Sequence, residues 1–242
     1  MSKIAMVAAL EREISVFIKK WTRIQREHEG RTFTFFEHGD TVAVCGGIGL
    51  AAARRAAEAV IALYRPVLVQ SVGFAGALDT KLRVGDLFSP SQVLDARDGS
   101  RTQLSGGEGT LVTFMAVAGV EQKAKLAQAY GGRAVDMEAA AVATAAQAHG
   151  IPFGAVKVIS DELDFEMPRM ADFIDSEGRF RTTSFILFAA LRPWLWSRIA
   201  VLARNSTKAA RALAAQLESF GNELVPALPA SSTTALPTGG RK

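Results

Sequence analysis

Short apolar runs with polar chemistry at their ends constrain this chain more than any other feature. Residues 4–9, 67–72, 134–137 and 153–159 are β-type runs without the polar alternation of a half-exposed strand. Such runs must be covered on both faces. Between them lie stretches of helical period: 11–20, with Ile14, Phe17 and Ile18 on one stripe; the alanine-rich 49–64; 121–130, closed by Gly131-Gly132; and 138–149, closed by Gly150 with Pro152 beyond. Strands alternating with helices specify an α/β fold whose largely parallel or mixed sheet is covered on both sides. Residues 32–37 and 41–45 read as a hairpin around His38-Gly39-Asp40. Residues 84–88, 92–95 and 110–116 read as further strands, 98–109 as a loop, and 173–191 and 194–220 as two helices. At 242 residues and 49% hydrophobic content, residues 1–224 are expected to form one domain. Residues 225–242, rich in Pro, Ser, Thr and Ala, are expected to be a disordered tail.

Charge and motif content narrow the function. The net charge is +4, but the basic excess lies from Arg192 onward, and the remainder is close to neutral. A nucleic-acid-binding surface is therefore not indicated. Cys45 is the lone cysteine, which rules out an internal disulfide and suits a reducing cytoplasm. The N-terminal apolar run meets charge at Glu11, unlike a secretory leader. The most apolar later segment, 184–203, is interrupted by Arg192, Pro193 and Arg198, so no spanning helix is expected. His28, His38 and His149 have no metal-ligand spacing, and there is no Gly-x-Ser-x-Gly. Gly47-Ile48-Gly49 imitates a dinucleotide fingerprint, but the next strand ends without the acid that would hold a ribose.

Ligands of open α/β sheets bind at the carboxyl ends of strands, and four such ends carry unusual chemistry here. Asp161 follows the run 153–159, with Ser160 beside it. A partly desolvated carboxylate there can donate a proton, although an acid at that place also caps helices. Glu138, after Met137, opens a helix of small residues that would not screen it from a ligand; it could grip a ribose hydroxyl pair or serve only the helix dipole. Gly73-Phe74-Ala75-Gly76 reads as a glycine turn whose N–H groups could approach a ligand, or as an ordinary tight turn. Glu11 and Glu13 stand where the first strand becomes a helix; either could act as a base on water, or simply as an acid of a first helical turn.

Taken in order, these pieces resemble the nucleoside phosphorylase/nucleosidase superfamily, and most of all its methylthioadenosine/S-adenosylhomocysteine nucleosidase branch. The resemblance is carried by Ala9-Leu10-Glu11-Arg12-Glu13-Ile14, Gly46-Gly47-Ile48-Gly49, Gly73-Phe74-Ala75-Gly76-Ala77-Leu78, Val84-Gly85-Asp86, Val135-Asp136-Met137-Glu138-Ala139 and Ile159-Ser160-Asp161. The stretch around Ala189-Ala190-Leu191-Arg192-Pro193-Trp194-Leu195-Trp196 is similar to the hopanoid-associated phosphorylases of the same superfamily, which act on adenosylhopane. The resemblance implies a three-layer α/β/α sandwich and cleavage of the N-glycosidic bond of an adenosine-type nucleoside, without a cofactor or metal. It gives Asp161 the purine N7, Ser160 the orientation of Asp161, Glu138 the ribose 2′- and 3′-hydroxyls, and Met137 the sugar face. Phe74, Ala75 and Gly76 would line base and ribose, and Glu13, rather than Glu11, would activate water. Two alternatives stay open: phosphorolysis with phosphate as co-substrate, and nucleoside binding without turnover. Phe74 stands where the family has a small hydroxylated residue that helps hold water or phosphate, and Lys157 replaces a usual arginine. The segment 95–121 is short, and Phe114 is the candidate for the aromatic that stacks on the base. A homo-oligomer is expected, and residues 185–202, with tryptophans and arginines among apolar residues, read first as core or subunit-interface helices and also suit a membrane surface or an apolar ligand.

Overall fold

The computed structural model describes residues 3–166, 171–175 and 177–224. The expected tail, 225–242, lies outside the described residues. The first strand, β1 (Ile4–Ala8), is buried on both faces and runs between two parallel neighbours, β4 (Thr41–Cys45) and β5 (Leu68–Ala77). Ala5 and Val7 face one hydrophobic cluster, which includes α2 (Leu50–Tyr64) and α4 (Ala139–Ala148). Met6 and Ala8 face the other, built with α1 (Glu11–Ile14) and α6 (Trp196–Leu224). Helices thus cover both faces of a mixed sheet, giving a three-layer α/β/α sandwich. Alternate side chains of a strand reach opposite faces, which is why the central runs carry no polar alternation.

The sheet extends outward through β2 (Thr22–His28) and β3 (Arg31–His38) on one side. On the other it passes through β10 (Gly132–Asp136), β9 (Thr110–Thr113), β7 (Gln92–Asp95) and β8 (Arg101–Gln103). A further strand, β11 (Phe153–Asp161), runs parallel to β5 and pairs with the two-residue β6 (Leu87–Phe88). The helix α3 (Val120–Tyr130) packs beside β9 and β10 and ends on Gly131 in the left-handed conformation. On α6, Ala209, Ala210, Leu213, Ala214 and Leu217 are buried, a stripe of helical period against the sheet.

Several local expectations are corrected. Residues 73–76 are not a turn: β5 runs through them to Ala77, because β11 and β10 pair with the whole segment. The expected helix 11–20 breaks after Ile14 and resumes as a 3-10 turn, Phe17–Lys20. The expected loop 98–109 contains β8, paired with β7. The expected strand 84–88 shrinks to Leu87–Phe88, and 110–116 stops at Thr113. The helix expected over 173–191 shortens to α5 (Thr182–Ala190), whereas the one expected over 194–220 starts at Trp196 and runs on to Leu224 as α6, with a 3-10 turn, Pro193–Leu195, between them. Among the described residues no helix is long and apolar enough to cross a membrane.

Candidate active site

All eight residues singled out from the sequence, Glu13, Phe74, Ala75, Gly76, Met137, Glu138, Ser160 and Asp161, line one cavity of about 150 Å³ at the ends of β1, β5, β10 and β11. Glu11 is excluded from it; it is exposed and faces Arg23. Phe114 is also excluded: it packs against the cluster of Leu78, Leu94 and Val112. The aromatic rings at the cavity are those of Phe74 and Phe180. In place of the segment missing from 95–121, Ala116, Val117 and Ala118 close the wall. A second cavity of about 500 Å³ adjoins the first, sharing Arg12, Phe74, Phe180, Leu202 and Ser206 and continuing between α1, α5 and α6.

Asp161 is aimed by an irregularity in β11. Ile159 pairs with Ala75 and Asp161 with Gly76, leaving Ser160 as an extra residue. In a regular strand, adjacent side chains diverge to opposite faces; a bulge re-aims them. Here both Ser160 and Asp161 reach the cavity, and the Ser160 hydroxyl donates to Asp161 Oδ1 at 2.6 Å. The other carboxylate oxygen, Oδ2, accepts from the ammonium of Lys123 on α3. Gly76 admits this pair: a Cβ there would lie 2.8 Å from Asp161 Oδ2 and 3.1 Å from Lys123 Cε.

At the start of α4 the two nearby acids divide their work. Asp136 serves structure: it accepts from Thr113 at 2.7 Å, from the Ala139 N–H at 2.9 Å and from Lys157 at 2.9 Å. Thr113 takes the Ala140 N–H at 3.0 Å. The first amides of α4 are thereby satisfied, and the Glu138 side chain does not cap its own helix. Its carboxylate accepts instead from the Gly49 N–H at 2.8 Å and the Met137 N–H at 3.2 Å. Burial, and then the charge of Asp136, raise its pKa to about 7, against the pull of Lys157.

Glu13 is buried at the cavity wall, and burial with the nearby Glu138 raises its pKa to about 8. Lys157, Arg12 and a backbone hydrogen bond from Phe74 act in the opposite direction. Its carboxylate lies over Gly73, whose φ of +141° and missing side chain leave the necessary space. A buried carboxyl of raised pKa is a stronger base once ionised. Cys45 offers no competing nucleophile, because burial, Glu13 and Glu11 push its thiol well above the usual range. Among the described residues no group of three His, Cys, Asp or Glu could hold a metal ion.

Sequence reasoning missed Lys123 and named Lys157 and Gly49 without their partners in this site. Lys157 is buried within a strand, and a lysine in an apolar run is a signal, since lysine is almost never fully buried unless paired. Lys123 gave none, and the Gly49 motif did not reveal its partner, since both partners lie far away in the chain.

Comparison with known proteins bears on the family and the fold. The model of the phosphorylase superfamily matches residues 3–114 and 108–191. A 5′-methylthioadenosine/S-adenosylhomocysteine nucleosidase of Staphylococcus aureus (strain MRSA252) is 25% identical, covering 67% of this chain and 90% of that protein. The crystal structure of the Helicobacter pylori enzyme of the same name, with butyl-thio-DADMe-Immucillin-A, superimposes with a TM-score of 0.68 at 19% identity, covering 92% of this chain and 99% of that one. The 5′-methylthioadenosine nucleosidase of Arabidopsis thaliana gives 0.72 at 19% identity, covering 93% and 96%. The futalosine hydrolase of Helicobacter pylori gives 0.65 at 19%, covering 92% and 98%.

Proposed function

The chain belongs to the phosphorylase superfamily, and on that premise we propose that it hydrolyses the N-glycosidic bond of an adenosine-type nucleoside. The observation that carries this reading is Glu13: a buried carboxyl, raised to about 8, in the same cavity as Glu138 and Asp161. In the proposed reaction Glu138 binds the ribose 2′- and 3′-hydroxyls, with Met137 against the sugar. Asp161, oriented by Ser160, assists the base at N7. As the C1′–N9 bond lengthens, charge develops on the sugar in an oxocarbenium-like state. Glu13 takes a proton from the water that adds to C1′. General acid or base assistance of this kind contributes roughly 10²–10⁴-fold each.

Glu13 favours hydrolysis over phosphorolysis, since its carboxylate repels phosphate and can take a proton from water, while Phe74 brings a hydroxyl for neither. The adjoining cavity, with Phe180, Phe185, Ile199 and Leu202 on its walls, supports an apolar 5′ substituent, whether the methylthio group of methylthioadenosine or the larger one of adenosylhopane. Incubation with methylthioadenosine, S-adenosylhomocysteine and adenosine in phosphate-free buffer tests the proposal. Release of free adenine, abolished by Asp161→Asn, is the expected result. Turnover only when phosphate is added, with a sugar 1-phosphate as product, would establish phosphorolysis. A bound nucleoside that stays intact would establish binding without catalysis.

A homo-oligomer, a cytoplasmic location and membrane-surface contact through residues 185–202 remain proposals on this reading. Leu187, Leu191, Trp194 and Trp196 are exposed there, which supports a covered face. Sedimentation of the purified protein with and without anionic liposomes separates self-association from membrane contact.

A further inference from the structure

Lys123 lines the cavity, and the proposed reaction gives it no task of its own. It is 1% exposed, and its ammonium donates to Asp161 Oδ2 and, at 2.6 Å, to the main-chain oxygen of Glu162. With Ser160 donating to Oδ1, each oxygen of Asp161 is met by a donor. The donor on Oδ2 is a buried ammonium, so this hydrogen bond is charge-assisted and joins Asp161 to a group that carries protons.

We propose that Lys123 supplies, through Asp161, the proton taken up by the departing base. The proposal rests on the nucleosidase reading above. When the C1′–N9 bond breaks, its electron pair passes to the purine. Asp161 takes a proton from Lys123 and passes that proton to N7, leaving a neutral amine beside a carboxylate. The attacking water gives its oxygen to C1′ and one proton to Glu13. One proton therefore leaves Lys123 and one arrives on Glu13, and exchange with solvent after product release restores both. Lys123 acts behind Asp161, as a positioning and proton-supplying residue.

The other charged groups around this cavity are Arg12 and Glu13 from α1, Glu138 ahead of α4, and Asp136 at the end of β10, which pairs with Lys157 of β11. In the proposed reaction these groups serve the sugar and water side whatever the leaving group, so a change of leaving group isolates Lys123.

The test compares methylthioadenosine with a 4-nitrophenyl riboside, whose nitrophenolate departs without a proton. In the wild-type protein kcat for the purine substrate is expected to fall in the alkaline range, while kcat for the nitrophenyl riboside stays level. Lys123→Arg keeps a cation beside Asp161 that does not give up its proton. It should lower kcat for the purine by roughly 10²-fold or more with little change in KM, and alter the nitrophenyl rate by no more than about threefold. Identical alkaline limbs for the two substrates, equal losses on both, or restoration of purine turnover by arginine would overturn the proposal. Where circular dichroism shows that the variant does not fold, the wild-type comparison decides alone. A wild-type protein that cleaves neither substrate overturns the nucleosidase reading itself, whereas failure confined to the leaving-group comparison overturns only the role of Lys123.

Discussion

Glu13→Gln is expected to destroy turnover and yet stabilise the ligand-free fold, and the two effects can be measured separately. Burial lifts Glu13 from an ordinary 4.5 to about 8. A group whose folded pKa lies above its unfolded value gives its stability below the unfolded pKa and loses it as pH rises through the folded one. The window for Glu13 therefore runs from about 4.5 to about 8. Each pH unit within it is worth about 1.4 kcal/mol, so full ionisation takes up to about 5 kcal/mol from the folded state. Glutamine is neutral in both states, nearly isosteric, and still able to accept the Phe74 hydrogen bond. Between about pH 6 and about pH 9, the wild type should lose up to about 3 kcal/mol more than the variant. Relief of Glu138, which Glu13 also opposes across the cavity, acts in the same direction. Urea unfolding of both proteins at the two pH values reads the difference directly. Equal losses in wild type and variant would show that Glu13 is not held in a desolvated, base-like state, and the water-activating role would fall with it.

The remaining predictions concern the same cavity. In the wild type kcat/KM reports ionisations of the free protein, so it should rise with pH through about 8 as Glu13 loses its proton; a flat profile across that range would contradict the assignment. Glu138→Ala should raise KM for ribonucleosides by roughly 10- to 100-fold, the worth of hydrogen bonds to a charged group, and should erase discrimination against 2′-deoxynucleosides; an unchanged ratio of the two substrates would remove Glu138 from the ribose. Gly73→Ala should cost roughly 1–3 kcal/mol of stability and most of the activity, because the added methyl meets the Glu13 carboxylate at a φ of +141°; a fully active variant in a rate assay would refute that packing.

Much of this was readable from residues alone, for reasons specific to each element. A buried central strand must be apolar on both faces, so β1 and β11 are visible without partners. The edge strand β2 was not, because its residues are largely exposed arginine, glutamine, glutamate and threonine, and only pairing with β3 makes them a strand. The glycines of 73–76 signalled a turn, yet they serve side chains from elsewhere: Gly73 yields to Glu13 and Gly76 to Asp161 and Lys123. On α3, Lys123 and Lys125 look alike in sequence; Lys125 pairs with Glu121 in solvent and Lys123 turns inward to an acid from β11.

That inward turn bears on how the four buried acids of the cavity acquire different chemistry. Lys157 pairs with Asp136 and Lys123 with Asp161. Glu13 and Glu138 have no ion-pair partner within contact distance among the described residues, and these are the two whose pKa values rise, to about 8 and about 7. A buried carboxylate beside a cation stays ionised, whereas one held by amide donors alone keeps a large desolvation penalty. The placement of two lysines thus separates acids that anchor and relay from acids that can exchange a proton near neutral pH. Exchanging the pairing, by removing Lys157 and leaving Asp136 unanswered, should push Glu138 further upward and weaken ribose binding at neutral pH. A Lys157→Met variant whose KM falls as pH rises, against a smaller change in the wild type, is the expected result. A pH-independent KM in that variant would show that Lys157 does not set the charge of Glu138.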